Sequence, residues 1–118
     1  MKINSFKDLL VWEKAHTLVL EIYKMTQSFP GNEQFGLTSQ IRRSSISVCA
    51  NIAEGYVKSK NDFIRFLDIA RGSLEETKCH LILSKDLGYC SEAHFNKLFS
   101  LSDEVGKMLY SLKHNLRY

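Results

Sequence analysis

The sequence predicts an all-α protein, an antiparallel up-down-up-down four-helix bundle, and three observations carry that expectation. Apolar residues recur at alternating steps of three and four along four long segments, as they do on one buried helix face. The breaks between segments are short, so consecutive helices must fold back on one another. Only 6 Gly and 1 Pro punctuate the 118 residues, too few turn formers for a β fold with a turn every ~8–12 residues.

The first segment runs from about Asp8 to Phe29 and sets Val11, Ala15, Leu18, Ile22 and Met25 on one face. Phe29-Pro30-Gly31-Asn32 ends it, because proline disfavours helix at the residue before it. The second, from about Glu33 to Val57, turns Leu37, Ile41, Ser45, Val48 and Ile52 to the core, and Gly55 with Lys58-Ser59-Lys60-Asn61 closes it. The third opens at Ser59, whose hydroxyl is placed to cap the Asp62 N–H while Asp62 reaches back. Its stripe is Phe63, Leu67, Ala70, Leu74, Thr77 and Leu81. Gly88 supplies the left-handed residue that closes it. Ser91 caps the fourth, where Phe95, Leu98, Ser102, Val105, Leu109, Leu112 and Leu116 keep a heptad rhythm. Residues 1–118 read as a single bundle domain with no linker and no internal repeat.

Composition narrows the class. Hydrophobic residues are 44% and charged residues 25%, which is globular and excludes a disordered tail. The net charge of +3 permits nucleic-acid contact without demanding it. Cys49, Cys79 and Cys90 are an odd set without a CxxC pair, as expected of free thiols in a reducing cytosol. Lys7 and Asp8 interrupt any apolar signal segment. The longest wholly apolar run, Leu9 to Trp12, is far short of the ~20 residues that span a bilayer. A soluble, cytoplasmic protein is expected.

The second helix points to a partner. On a helical wheel Ile41, Ser45, Val48 and Ile52 face the bundle, Ile46, Cys49, Ala50 and Ala53 form a second apolar face, and Gln40, Arg43, Ser47, Asn51 and Glu54 make a narrow polar stripe opposite. The apolar arc spans roughly 240°, far beyond the ~100° that one core needs. On the third helix Phe66, Ile69 and Leu83 lie off the core stripe, and Gly72-Ser73 admits close approach of another backbone. The expected homo-oligomer interface is Ile46, Cys49, Ala50, Ala53, Phe66 and Ile69; on a monomer these would be ordinary scattered surface apolars.

The ordered pattern from Asp8-Leu9-Leu10-Val11-Trp12-Glu13-Lys14-Ala15 through Ile22-Tyr23, Phe29-Pro30, Glu33, Gly36-Leu37, Gln40 and Arg42-Arg43 carries a family likeness. It continues through Asn51-Ile52-Ala53-Glu54-Gly55, Phe63, Phe66-Leu67, Ile69-Ala70-Arg71-Gly72-Ser73, Glu76 and Leu87-Gly88-Tyr89. The chain resembles the bacterial four-helix-bundle proteins encoded in intervening sequences of 23S ribosomal RNA genes. The resemblance implies an antiparallel bundle assembled as a ring-like homopentamer. The family is similar in fold to the accessory bundle proteins of diversity-generating retroelements, which work with nucleic acid. It sharpens the fold more than the activity.

Arg42, Arg43, Lys58, Lys60, Arg65 and Arg71 are the candidate nucleic-acid-binding residues, since guanidinium and ammonium groups grip phosphates. For Arg42 the favoured alternative is a structural pair with Glu75 or Glu76, and for Lys58, Lys60, Arg65 and Arg71 a solvated helix end. Glu13-x-x-His16 matches half of a di-iron motif, but a second Glu-x-x-His is missing. Glu76 and His80 supply no set for a metal with His16, and Cys79-His80 are adjacent and cannot share a helix face. The glycines are dispersed, so no phosphate loop forms. A catalytic role for Glu54 would require a cleft and a shifted pKa. Trp12 and Tyr23 read as packing and interface anchors and not as base-stacking platforms. The reading is a non-enzymatic homo-oligomer that binds RNA or a ribonucleoprotein, with no metal, cofactor, small-molecule substrate or membrane expected. The alternative is a structural or protein-interaction scaffold without nucleic-acid affinity.

Overall fold

A computed structural model describes residues 2–117. Four helices follow in order: α1 Leu10–Thr26, α2 Leu37–Tyr56, α3 Lys60–Asp86 and α4 Glu92–Arg117. Single 3-10 turns at Phe6–Asp8 and Gly31–Glu33 precede α1 and α2. No strand occurs among the described residues.

Cross-helix partners fix the directions. Between α2 and α3, Arg43 meets Glu76, Ser47 meets Ser73, and Gly55 abuts Phe66. Between α1 and α4, Lys14 pairs with Glu104 and Glu21 with Lys97. Between α3 and α4, Lys78 pairs with Asp103 and Asp68 with Lys113. In each pair the numbers rise on one helix as they fall on the other, so these neighbours are antiparallel, and the chain runs up-down-up-down. The rod measures 44 × 25 × 21 Å. Its terminal end carries the N-terminal segment, the α2–α3 turn and the end of α4; its loop end carries the α1–α2 loop and the α3–α4 turn.

The core is the set of stripes expected from periodicity. Ala15, Leu18, Ile22, Ile41, Val48, Ile52, Leu67, Ala70, Leu81, Leu98, Val105 and Leu109 are fully buried. Removing the Val, Leu and Ile side chains among these from water contributes about 1.5–3 kcal/mol each. Thr77 and Ser102 interrupt the stripes, yet their hydroxyls return to helix carbonyls, Ser73 O at 2.9 Å and Leu98 O at 2.8 Å.

Element boundaries depart from the periodic reading where side chains cap the backbone. The first helix does not begin at Asp8. Asp8 Oδ2 instead accepts from the Ser5 and Asn4 N–H groups at 3.1 and 2.9 Å, while Ser5 Oγ accepts from Lys7 N–H at 3.3 Å. This cap makes a separate turn, and Leu9 is extended (φ −75°, ψ 124°) before α1 starts. The second helix starts at Leu37, not Glu33, because Glu33 acts from outside it: its Oε1 accepts from the Leu37 N–H at 3.2 Å. Its other oxygen accepts from Tyr89 O–H at 2.8 Å, and the Tyr89 ring packs on Phe29. Phe29, Glu33, Leu37 and Tyr89 thus lock the two connections at the loop end. Ser59 Oγ caps the Asp62 N–H at 3.3 Å as expected, but Asp62 does not reach back and turns to Arg65 at 3.5 Å. Gly88 takes φ +76°, with its N–H donating to Lys85 O and the Tyr89 N–H to Ser84 O, a Schellman closure. Ser91 Oγ caps His94 N–H at 3.0 Å.

Candidate functional site

The α2–α3 contact is a polar seam. The Thr77 hydroxyl lies 2.8 Å from Ser44 Oγ, and His80 Nδ1 lies 3.3 Å from it on the other side. One turn along, Ser47 Oγ and Ser73 Oγ meet at 2.9 Å, and Asn51 Nδ2 donates to Ser47 O and Oγ. Further along, Gly55 receives Phe66: a Cβ on residue 55 would sit 2.6 Å from Phe66 Cβ and 2.9 Å from Phe63 Cδ1. Small side chains let the two helix axes approach, and the buried hydroxyls of Ser44 and Thr77 find partners on the facing helix and on their own. Burial lowers the pKa of His80; neighbouring Glu76 opposes that shift and Arg43 adds to it.

Two sequence expectations are corrected here. The stripe holding Arg43, Ser47 and Asn51 is not opposite the core; its Ser47 and Asn51 side turns into the α3 seam, leaving Gln40 and Glu54 exposed. Phe66 is no interface residue in waiting, because it is buried in the hollow that Gly55 leaves. Both follow from one cause: apolar periodicity marks a core, whereas small polar residues mark a close helix contact that hydropathy does not register.

The basic residues are corrected in the same way. Arg42 does not pair with Glu75 or Glu76. Its Nε donates to Thr26 Oγ1 at 2.9 Å, and its guanidinium lies 4.4 Å from the centre of the Tyr23 ring. Arg43 takes the Glu76 pair and also donates to Gln40 Oε1. Arg65 pairs with Asp62 and covers the Phe66 ring; Arg71 pairs with Asp68 and lies over Tyr110. Lys58 and Lys60, in and just after the α2–α3 turn, are exposed.

What remains open is an apolar ridge on the outside of α2. Ile46, Ala50, Ala53 and Val57 repeat at steps of four, three and four, which keeps them in one row. Ile46 is 43% exposed and Val57 76%; Ala50 is exposed and Ala53 half-buried. Ile69 on α3 is 43% exposed. Cys49 lies at the edge toward α1, half-buried, its thiol pushed up to about 12 by burial. Trp12 on α1 is half-buried, edge-on to Phe6 at 5.1 Å and stacked on His16 at 4.8 Å, so His16 is a stacking partner. The sequence reading missed Val57, although its spacing from Ala53 extends the row, and Phe35, 90% exposed in the α1–α2 loop.

The family model of the 23S rRNA-intervening sequence protein matches residues 7–111. The chain belongs to this family. Among solved structures it is similar to a protein of unknown function from the S23 ribosomal protein family of Bacteroides thetaiotaomicron VPI-5482. The identity is 28% and the TM-score 0.81, over 89% of this chain and 96% of that one. No curated protein matches the chain. The family match spans α1 to α3 and most of α4, and so includes the ridge, the seam and the Glu33–Tyr89 lock. Among the described residues no helix is long and apolar enough to cross a membrane.

Proposed function

We propose that the chain is a non-enzymatic, cytoplasmic bundle that assembles with copies of itself, as a pentamer, and binds RNA or a ribonucleoprotein particle. The observation that carries the assembly is the row Ile46, Ala50, Ala53 and Val57, which remains open after the bundle has satisfied its own core. Rows of this kind are covered in the working state because exposed contiguous apolar surface mediates association. The pentamer is what the family resemblance implies, and the RNA partner is supported by the family's name, which ties it to 23S rRNA, and by the net charge of +3.

A second reading, a protein-interaction scaffold without affinity for nucleic acid, is favoured by one observation: Arg42, Arg43, Arg65 and Arg71 already have partners within the chain. Light scattering of the purified protein with and without total RNA separates the two. The proposal predicts a particle of several chains whose mass rises when RNA is added and falls back in high salt. A particle indifferent to RNA supports the scaffold, and a single chain of 13.6 kDa contradicts both.

A further inference from the structure

We propose that the surface which meets the RNA phosphates is the terminal end of the bundle, carried by Lys2, Lys7, Lys58, Lys60 and Arg117. The inference rests on the RNA-binding reading above and adds the face. Three distant stretches of sequence converge there by topology: the N-terminal segment, the α2–α3 turn and the last turn of α4. All five cations are exposed, and none forms an ion pair among the described residues.

The acids at this end are engaged. Asp8 accepts from two backbone N–H groups, Asp62 holds Arg65, and Asp68 holds Lys113 and Arg71. Glu54, about a turn inside α2, and Glu13, in the first turn of α1, are exposed carboxylates that remain. At the loop end the charges balance: Asp86 and Glu92 lack an ion pair among the described residues, while Lys24 and Lys97 share Glu21, Lys85 lies over the Phe95 ring, and Arg42 and Arg43 are tied to Thr26 and Glu76. The molecule is therefore electrically polarised along its 44 Å axis, and a polyanion approaches the terminal end first.

The kind of partner follows from the kind of cation. Four of the five are lysines, mobile point charges without the fixed fork that reads bases or a single carboxylate. Spread over an end of 25 × 21 Å, they suit a chain of phosphates spaced a few ångström apart and contacted without regard to sequence. Val57 beside Lys58 and Ile3 beside Lys2 are exposed apolar residues, so a membrane surface is the competing outcome that the vesicle arm of the test addresses; the RNA reading above selects the polyanion.

The test compares Lys58→Glu/Lys60→Glu with the charge-matched variant Lys24→Glu/Lys97→Glu, whose exposed lysines both face Glu21 toward the loop end. Lys60 opens α3, so a glutamate there favours the helix dipole and the fold is retained, as circular dichroism verifies. Anisotropy with a single-stranded RNA of about 20 nucleotides is read at roughly 50 and 200 mM salt. The expected result is a loss of at least about tenfold for the Lys58/Lys60 pair at the lower salt, with a salt slope shallower by about 1.4, from two phosphate contacts at about 0.7 each. The Lys24/Lys97 pair is expected to stay within about threefold. An equal loss in both pairs means that net charge alone governs binding and overturns the assignment. Retention by the Lys58/Lys60 pair with loss in Arg43→Glu moves the site to α2 and leaves the RNA reading standing. Failure of the wild type to bind RNA removes both, and capture by phosphatidylserine vesicles in place of RNA reassigns the end to membrane.

Discussion

His80 is the residue on which the polar seam turns. Its Nδ1 faces Ser44 Oγ at 3.3 Å, and its Nε2 stands 3.9 Å from Glu76. Burial lowers its pKa, with Glu76 acting to raise it and Arg43 to lower it further. The unfolded chain therefore takes up this proton more readily than the folded one. Its contribution to stability is intact above the ordinary histidine pKa of about 6.5 and is lost as pH falls toward the depressed folded value. Urea midpoints between about pH 7.5 and 5.5 should fall in the wild type, and the fall should be shallower in His80→Asn, which keeps a hydrogen-bonding group near Ser44. Equal slopes would show that the seam does not sense this proton. This role was not legible in the sequence. Neither was the exchange between the two arginines, in which Arg43 takes the Glu76 pair and Arg42 lies on Tyr23. Which of two adjacent cations reaches a given acid depends on a helix rotation of 100° per residue and on the position of the neighbouring helix, and only the first can be read from a single chain.

At the scale of elements, glycine separates the close contact from the open one. Gly55 on α2 and Gly72 on α3 are both helical, yet a Cβ at residue 55 strikes the Cβ of Phe66, which cannot swing aside, and a Cβ at residue 72 meets nothing within 4 Å. Gly55→Ala should therefore destabilise by about 1–3 kcal/mol through overpacking, despite the better helix propensity of alanine. Gly72→Ala should stabilise by about 0.5–1 kcal/mol from that propensity alone. Thermal unfolding of the two variants checks the sign of each; a stabilised Gly55→Ala would mean the α2–α3 distance is wrong. The four helices and their core stripes were legible because apolar spacing records them directly, as were the Ser59, Gly88 and Ser91 boundaries, whose cap chemistry is local. The starts of α1 and α2 were not. The Asp8 and Glu33 carboxylates leave the helical pattern to cap the chain, and that choice depends on side-chain geometry and on Tyr89, far away in sequence.

For the whole molecule, two surfaces carry the functional reading: the α2 ridge along the side and the lysine-rich terminal end. The ridge was legible as an excess of apolar arc on α2, and four of the residues expected to form it, Ile46, Cys49, Ala50 and Ala53, lie on or beside it. Phe66 was misplaced because the hollow at Gly55 that receives it is tertiary. The terminal end was half legible: Lys58 and Lys60 were singled out, while Lys2, Lys7 and Arg117 join them only when the chain doubles back. Assembly through the ridge is the claim on which the functional reading depends. Sedimentation equilibrium of the wild type and Ile46→Arg tests it most directly. The account predicts a wild-type mass that is a multiple of 13.6 kDa and, for Ile46→Arg, a shift toward the single chain with helicity unchanged. A wild type that sediments as one chain at every concentration, or an assembly that Ile46→Arg leaves intact, would contradict it.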